Sequence, residues 1–288
     1  SSIYEVDNND SNVKLNVIKE PLDLAVAITP FNHPLNQVVH KIAPAIAAGT
    51  SIVLKPSEKT PLSAYRFREI LTLCGLPENA FIVLNGFDIY ETVKQLVSFK
   101  LLDVVSFTGS VEIGKKIEKM MLDNENYLKK YIPELGGNAA FLVNHDADID
   151  LASTIALSAF DNCGQRCTSI KRIFLHNSVA KEFIFKFKSK AAKLKYGNPF
   201  DNKNDLGTLI DQEASITIQE RVNNALKNGS NLVFGNIVEG ALYSPTIIDN
   251  VRPEMDIVKY ETFGPIAPII RINSIDYSKL RPTTKIKA

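Results

Sequence analysis

Neither sign of charge dominates this sequence: 33 Lys and Arg stand against 32 Asp and Glu over 288 residues, a formal net charge of +1. With the two signs mixed there is no long-range field to attract nucleic acid or an anionic membrane, so any anion recognition has to be local. Apolar residues make up 45% of the chain, yet no uninterrupted run approaches the roughly 18 apolar residues of a membrane span, and no charged-then-apolar leader opens it. The expectation is a soluble, cytoplasmic protein with no nucleic-acid or membrane partner. Cysteine is scarce. Cys74, Cys163 and Cys167 are odd in number and too few for a disulfide framework, which fits a reducing compartment. Cys163 and Cys167 are close enough to suggest a metal, but no second Cys or His pair with ligand spacing follows them and His145 sits among acids. Structural zinc needs four ligands, so no metal is expected. Internal repeats and low-complexity stretches are also missing, as is the G-x-G-x-x-G dinucleotide fingerprint.

What is present is a chain long enough for one large domain or two ordinary ones. From Leu22 to Phe107, short apolar runs (LDLAVAI, SIVLK, FIVL, DVVSF) alternate with helical stretches, the pattern of βαβ units on a parallel sheet. Thr60 before Pro61 reads as a helix N-cap, and Gly49 and Gly75 stand where helices end in left-handed geometry. The turn 107–114 follows a strand and opens a helix, placing Gly109 and Ser110 where phosphates can bind, although ordinary strand-to-helix turns share that spacing. After Tyr131 the wording changes to YIPELGGNAAFLV, a candidate domain boundary. Beyond it DADIDLASTIALSAFDN reads as an Asp-capped helix, KRIFLH as a strand, and Lys181 to Lys195 as an amphipathic helix. The lysines of that helix form a solvated outer face, since Phe183, Ile184, Phe187, Ala191 and Leu194 mark an apolar one.

Between these elements lies Gly164-Gln-Arg-Cys-Thr-Ser169, a small-polar turn holding Cys167 directly after Arg166. A thiolate is the nucleophilic form of cysteine, and a neighbouring cation favours it, so the context suits a reactive thiol. The alternative is an inert cysteine acting as a small core hydrophobe.

Five landmarks stand in order: Thr29-Pro-Phe-Asn-His-Pro34, Leu54-Lys-Pro-Ser-Glu58, Glu134-Leu-Gly-Gly-Asn138, the cysteine turn, and Glu261-Thr-Phe-Gly-Pro265. With the 107–114 turn they resemble the aldehyde dehydrogenase superfamily over roughly residues 15 to 272. The resemblance implies an α/β, aldehyde dehydrogenase-like fold: a parallel-sheet NAD-binding domain over 1–134, an α/β catalytic domain over 135–272, and a non-matching tail over 273–288. It also implies oxidation of an aldehyde with NAD, or NADP, as acceptor. In that scheme Cys167 is the nucleophile, Asn32 and the Cys167 N–H stabilise the oxyanion, and Glu134 activates the water that hydrolyses a thioester. Taken alone, Asn32 reads rather as a turn residue before Pro34 and Glu134 rather as a solvated strand end.

Thr29, Pro30, Phe31, Lys55, Ser57, Glu58, Gly109, Ser110, Leu135, Glu261 and Phe263 match cofactor-binding positions. A carboxylate at Glu58 would accept from ribose hydroxyls and repel a 2'-phosphate, favouring NAD, unless Lys55 and Glu58 are simply a surface pair. Arg166 and His33 adjoin catalytic positions and are candidate readers of an anionic head group, with a pairing of Arg166 to Asp161 as the structural alternative. The wording most resembles the phosphonoacetaldehyde-oxidising branch, which would place the chain in phosphonate metabolism. A neutral hydroxyaldehyde such as lactaldehyde, or a non-catalytic nucleotide-binding remnant, stays open. Full-length members are longer at both ends and form homo-oligomers. The expectation is a truncated or processed amino end and a basic tail from Ser278, which leaves edge strands unpartnered and oligomerisation in question.

Overall fold

The computed structural model describes residues 3–6, 15–124 and 128–274. Of the polar amino end and the basic tail, residues 1–2, 7–14 and 275–288 lie outside the described residues. The chain divides into two compact units, Ser1–Leu135 and Gly136–Ala288.

The first unit begins with an antiparallel hairpin of β1 (Ile3–Val6) and β2 (Leu15–Ile18). There follow β3 (Leu24–Ile28), α1 (Asn36–Ala48), β4 (Ser51–Lys55), α2 (Leu62–Leu73) and β5 (Phe81–Val83), then α3 (Ile89–Val97), β6 (Val104–Thr108), α4 (Val111–Asp123) and β7 (Lys130–Glu134). Five of the strands form a parallel sheet in the order β5-β4-β3-β6-β7. The period-2 alternation of β3 divides its side chains between two cores. Ala25 and Ala27 face Val38 and Ile42 of α1 and Ala64 of α2. Val26 and Ile28 pack with Val93 and Val97 of α3 and Ile117 and Met121 of α4. Chain order reverses between β3 and β6, and in sheets wound this way ligands bind beyond the carboxyl ends of the strands at such a switch point.

Of the helix ends read from Gly49, Thr60 and Gly75, two follow the expected turn chemistry and one does not. Gly49 (φ +82°) and Gly75 (φ +93°) are left-handed, as expected after α1 and α2. Thr60, however, does not cap α2. The helix starts one residue later than read, Pro61 occupies the cap position, and the Thr60 hydroxyl donates to the Phe31 carbonyl at 3.4 Å. Proline at the cap has no side-chain acceptor, so the first-turn N–H groups of α2 have no side-chain cap.

The second unit contains β8 (Ala139–Val143), α5 (Ile149–Ile155), β9 (Ile170–His176), α6 (Ala180–Ala191), α7 (Gln212–Lys227) and β10 (Asn231–Phe234). A short ribbon of β11 (Val238–Glu239) and β12 (Leu242–Tyr243), then β13 (Thr246–Asp249), α8 (Asp256–Lys259) and β14 (Ile266–Ile272), complete it. Its sheet runs β10-β13-β14-β9-β8, parallel except for the antiparallel edge strand β10. Asp148 caps α5, accepting from the Asp150 and Leu151 N–H groups at 3.0 Å. Two short 3-10 turns, Ala156–Ala159 and Asp161–Gly164, carry the chain from α5 to the cysteine turn. α6 buries Phe183 and Phe187, with Phe187 stacked on Phe160 at 5.7 Å between centroids, and leaves its lysines outward. It ends at Ala191, short of the Lys195 read from sequence.

Candidate active site

In the first unit the site residues read from sequence gather along the carboxyl edge of the sheet. Thr29 follows β3, is buried, and donates its N–H to the Lys55 carbonyl at 3.2 Å. Pro30, Phe31, Asn32 and His33 form the half-buried bend that leads into α1, and the His33 carbonyl accepts from the Gln37 N–H at 3.0 Å. Lys55 ends β4 with its side chain 6% exposed, and its ammonium lies 2.8 Å from a Glu58 carboxylate oxygen. Ser57, between them, accepts from the Lys59 N–H at 3.2 Å. Burial raises the Glu58 carboxyl, but the Lys55 hydrogen bond and the Lys55 and Lys59 charges outweigh it, and the group sits below its ordinary value. Gly109 follows β6 and donates to the Glu134 carbonyl at 3.1 Å, while the Ser110 hydroxyl caps α4 by accepting from Ile113 at 3.3 Å. Glu134 is exposed at the end of β7, and half-buried Leu135 packs on Gly114.

Sequence reading missed the cation near Glu134. Lys41 of α1 donates to the Ser106 hydroxyl at 2.8 Å. Burial lowers its ammonium to about 8, with the Glu134 charge opposing the shift. A lysine on a helix whose neighbours Val38 and Ile42 are both buried was the signal available in the sequence.

In the second unit the cysteine turn is built from several directions. Asn162 (φ +51°), Cys163 (φ +56°) and Gly164 (φ +67°) are successive left-handed residues, a conformation that costs an ordinary residue roughly 1–2 kcal/mol and is rare as a run. A Cβ on Gly164 would lie 1.9 Å from the Gly264 carbonyl oxygen, so only glycine fits. Buried Gln165 anchors the turn, donating to the Asn162 and Thr208 carbonyls at 3.2 and 3.4 Å and accepting from the Ile210 N–H at 2.9 Å. Ser169, also buried, donates to the Ala159 carbonyl at 3.3 Å. These contacts leave Cys167 partly exposed while Cys163 is buried. The Cys163 thiol donates to the Gly207 carbonyl at 3.3 Å and is pushed by burial up to about 11, which makes it the inert one of the two. Among the described residues no three His, Cys, Asp or Glu side chains come together as metal ligands, and no helix is long and apolar enough to cross a membrane.

Arg166 takes the alternative posed above: its guanidinium meets the Asp161 carboxylate at 3.2 Å, with both side chains substantially exposed. The cation that instead lies buried at the turn is Lys171 of β9, which sequence reading passed over. Its ammonium donates to the Gly164 carbonyl at 2.5 Å and the Thr262 carbonyl at 3.2 Å, and lies 4.9 Å from the centre of the Phe263 ring. A lysine inside the apolar run KRIFLH was the available signal.

Glu261 accepts from the Gly137 N–H at 3.1 Å, and burial raises its carboxyl against the opposing pull of Lys171 and Arg221. Arg221 of α7 holds the same loop by donating to the Glu261 carbonyl. Gly137 approaches the turn so closely that a Cβ there would meet the Cys167 carbonyl oxygen at 1.9 Å. The second unit therefore holds the Cys167 turn and the Glu261–Phe263 loop together through Gly137 and Lys171, with a partly exposed cysteine on one and a half-buried carboxylate and ring on the other.

Comparison with known proteins gives this arrangement a family. Residues 2–278 match the aldehyde dehydrogenase family. The 3-sulfolactaldehyde dehydrogenase of Priestia aryabhattai is 38% identical over 260 residues, covering 90% of this chain and 53% of that protein. The NADP(+) succinate-semialdehyde dehydrogenase of Escherichia coli is 37% identical, covering 92% of this chain and 55% of its own length. A crystal structure of succinate-semialdehyde dehydrogenase from Burkholderia pseudomallei superposes with a TM-score of 0.90 at 35% identity, covering 95% of this chain and 57% of that one. The chain thus spans about half the length of these relatives. On motif order, fold and matched length together, it belongs to the aldehyde dehydrogenase family.

Proposed function

We propose that this chain carries the cofactor-binding and nucleophile-bearing parts of an NAD(P)-dependent dehydrogenase that oxidises a small anionic aldehyde to its carboxylate. Residues 1–134 are the NAD-binding domain and 135–272 the catalytic domain. The observation that carries the reading is the cysteine turn, in which Gln165, Ser169 and Lys171 are spent holding backbone while the Cys167 thiol is left accessible.

The chemistry assigns one task to each group. The Cys167 thiolate adds to the aldehyde carbon and the carbonyl π electrons move to oxygen, giving a thiohemiacetal. Its oxyanion is stabilised by the Asn32 amide and the Cys167 N–H, donors fixed before charge develops. A dinucleotide held at the sheet's carboxyl edge would supply the acceptor for the hydride lost from that carbon. Glu134 then removes a proton from the water that attacks the thioester, releasing the carboxylate and regenerating the thiolate.

The residues present fit a dinucleotide by the chemistry of their donors. The Lys55 and Glu58 pair at the sheet's carboxyl edge offers a cation and an ionised carboxylate to ribose hydroxyls. Thr29, Pro30, Phe31, Ser57, Gly109, Ser110 and Leu135 line the same edge, with Glu261 and Phe263 assigned to the nicotinamide end. The Glu58 charge disfavours a 2'-phosphate, so NAD is the preferred form.

An anionic head group is favoured by Arg166 and His33, each adjacent in sequence to a reacting group, and an exposed ion pair such as that of Arg166 with Asp161 is worth too little to hold it back from a substrate. Motif wording points to a phosphonate, whereas the relatives above are named for sulfolactaldehyde and succinate semialdehyde. The shared class is a short aldehyde with a terminal anion. A neutral hydroxyaldehyde is the second reading, favoured by that same ion pair.

The test supplies NAD with sulfolactaldehyde, succinate semialdehyde, phosphonoacetaldehyde and lactaldehyde in turn and follows NADH absorbance, with Cys167→Ala as the blank. An absorbance rise with an anionic member, together with a roughly tenfold rise in KM for that substrate alone on Arg166→Leu, supports the reading. Equal effects of Arg166→Leu on lactaldehyde select the neutral reading. NAD binding by calorimetry with no turnover of any aldehyde would leave only a nucleotide-binding remnant.

A further inference from the structure

Lys171 is 3% exposed near the start of a strand whose other buried residues are mostly apolar. Taking an ammonium out of water is costly unless donors and charge are answered, and long cations are seldom fully buried without a partner. The register of β8 and β9 shows how the residue comes to be there. Ala139 pairs with Ile170 and Ala140 pairs with Arg172, so Lys171 is the extra residue of a bulge on β9. Bulges are uncommon in parallel pairs, and next to functional sites they redirect a side chain. Here the redirected ammonium reaches the Gly164 carbonyl, just before the nucleophile, and the Thr262 carbonyl 91 residues further on, with the face of Phe263 as its third contact.

We propose that Lys171 is a positioning residue that ties the Cys167 turn to the Glu261–Phe263 loop, setting the thiol and the cofactor-facing carboxylate and ring in one register and placing a positive charge between them. The claim rests on the dehydrogenase reading for what that register serves. Arg166, which sequence order would make the cation of this site, is turned out to Asp161. Its partner is an exposed carboxylate, whereas Lys171 meets the backbone of both the Cys167 turn and the 261–263 loop.

The titratable groups facing Lys171 are Glu261 and Cys167, and Arg221 approaches Glu261 from α7. Burial brings the Lys171 ammonium down to about 8, with the Glu261 and Cys167 charges resisting the loss of its proton. By reciprocity a protonated Lys171 favours the thiolate form of Cys167. Removing the charge takes that support from the reactive form of the sulfur, and alkylation should slow.

The experiment uses the full chain in a Cys74→Ser background, because Cys74 is exposed and would react. Iodoacetamide alkylation of Cys167 is followed from pH 6 to 10 without cofactor, and NAD binding is measured by calorimetry. Lys171→Met and Lys171→Gln are both expected to slow alkylation at pH 7.5 about tenfold and to weaken NAD several-fold, with Lys171→Arg recovering much of the alkylation rate and Lys188→Met, at an exposed lysine of α6, leaving it within twofold. Gln keeps a donor without the charge, so it gives the same reading if Met does not fold. A folded neutral variant with an unshifted alkylation profile and unchanged NAD affinity overturns the proposal, as does Lys188→Met giving an equal shift. A merely structural lysine would lower the melting temperature and leave the profile where it was. If the unaltered chain neither binds NAD nor oxidises any aldehyde, the dehydrogenase reading fails while the alkylation profiles still decide the role of Lys171.

Discussion

Replacing Gly164 with alanine tests whether the cysteine turn is held by contact or only by backbone preference. The residue is left-handed (φ +67°), and an added Cβ would lie 1.9 Å from the Gly264 carbonyl oxygen and 2.4 Å from its carbon. The first effect costs roughly 1–2 kcal/mol for a non-glycine residue. The second demands that backbone retreat by roughly 1.5 Å to reach an ordinary contact, and forced repacking of that kind costs roughly 1–3 kcal/mol. Together they give roughly 2–5 kcal/mol. Gly240, in the same unit, supplies the control: it is also left-handed (φ +57°), but nothing lies within 4 Å of its added Cβ. Gly240→Ala should therefore show the conformational cost alone. At roughly 2–4 °C per kcal/mol for a unit of this size, calorimetry should find Gly164→Ala lowering the melting temperature by about 10 °C and Gly240→Ala by about half of that or less. Cys167 alkylation should change in Gly164→Ala only. Equal melting temperatures in the two variants would refute the argument, because the Gly264 contact would then be too soft to hold the turn.

Three further outcomes follow from named contacts. Glu58→Gln removes the carboxylate charge while keeping the shape, and the ratio of kcat/KM for NADP to that for NAD should rise about tenfold, about 1.4 kcal/mol, if that charge repels the 2'-phosphate. Asp249→Asn breaks the two-pronged pair with Arg271, in which both N–O distances are 2.8 Å and the side chains are 13% and 25% exposed, and urea unfolding should show a loss of roughly 1–3 kcal/mol. Lys171 is lowered from 10.5 to about 8 in the folded chain, so between those values the unfolded chain binds more protons and stability should rise with pH. Lys41, lowered to about 8 as well, adds to the same rise and Cys163, raised to about 11, opposes it above pH 9, so the reading is the difference between chains: urea unfolding of Lys171→Met should lose on the order of 2 kcal/mol of the gain from pH 8 to 10, and an unaltered slope in that variant would mean the lysine does not contribute.

Elements and motifs were legible in the sequence because the signals that make them are local. Alternating apolar runs marked the parallel strands, Gly49 and Gly75 closed helices by left-handed geometry, and Asp148 capped α5. Each signal needs only the residues within one or two turns of chain. The Thr60 cap failed for the same reason in reverse: a distant carbonyl, that of Phe31, drew the hydroxyl away. At the site, the sequence pointed to the thiol at Cys167, the loop at Glu261 and Phe263 and, by adjacency, the cation Arg166, but not to the second cation, Lys171, that lies buried between turn and loop. Adjacency suggested Arg166, whereas the folded unit pairs Arg166 with Asp161 and buries Lys171 against carbonyls at 164 and 262.

Sequence alone determined the order of strands and helices, the near-neutral charge that makes anion recognition a local matter, and the motif order by which the family is read. Tertiary structure alone decided the strand order that reverses at β3 and β6, which cysteine stays reachable, and which lysine loses its water. These depend on register and burial set by segments far apart in the chain, and a bulge of one residue on β9 is enough to turn a charge from solvent into the core.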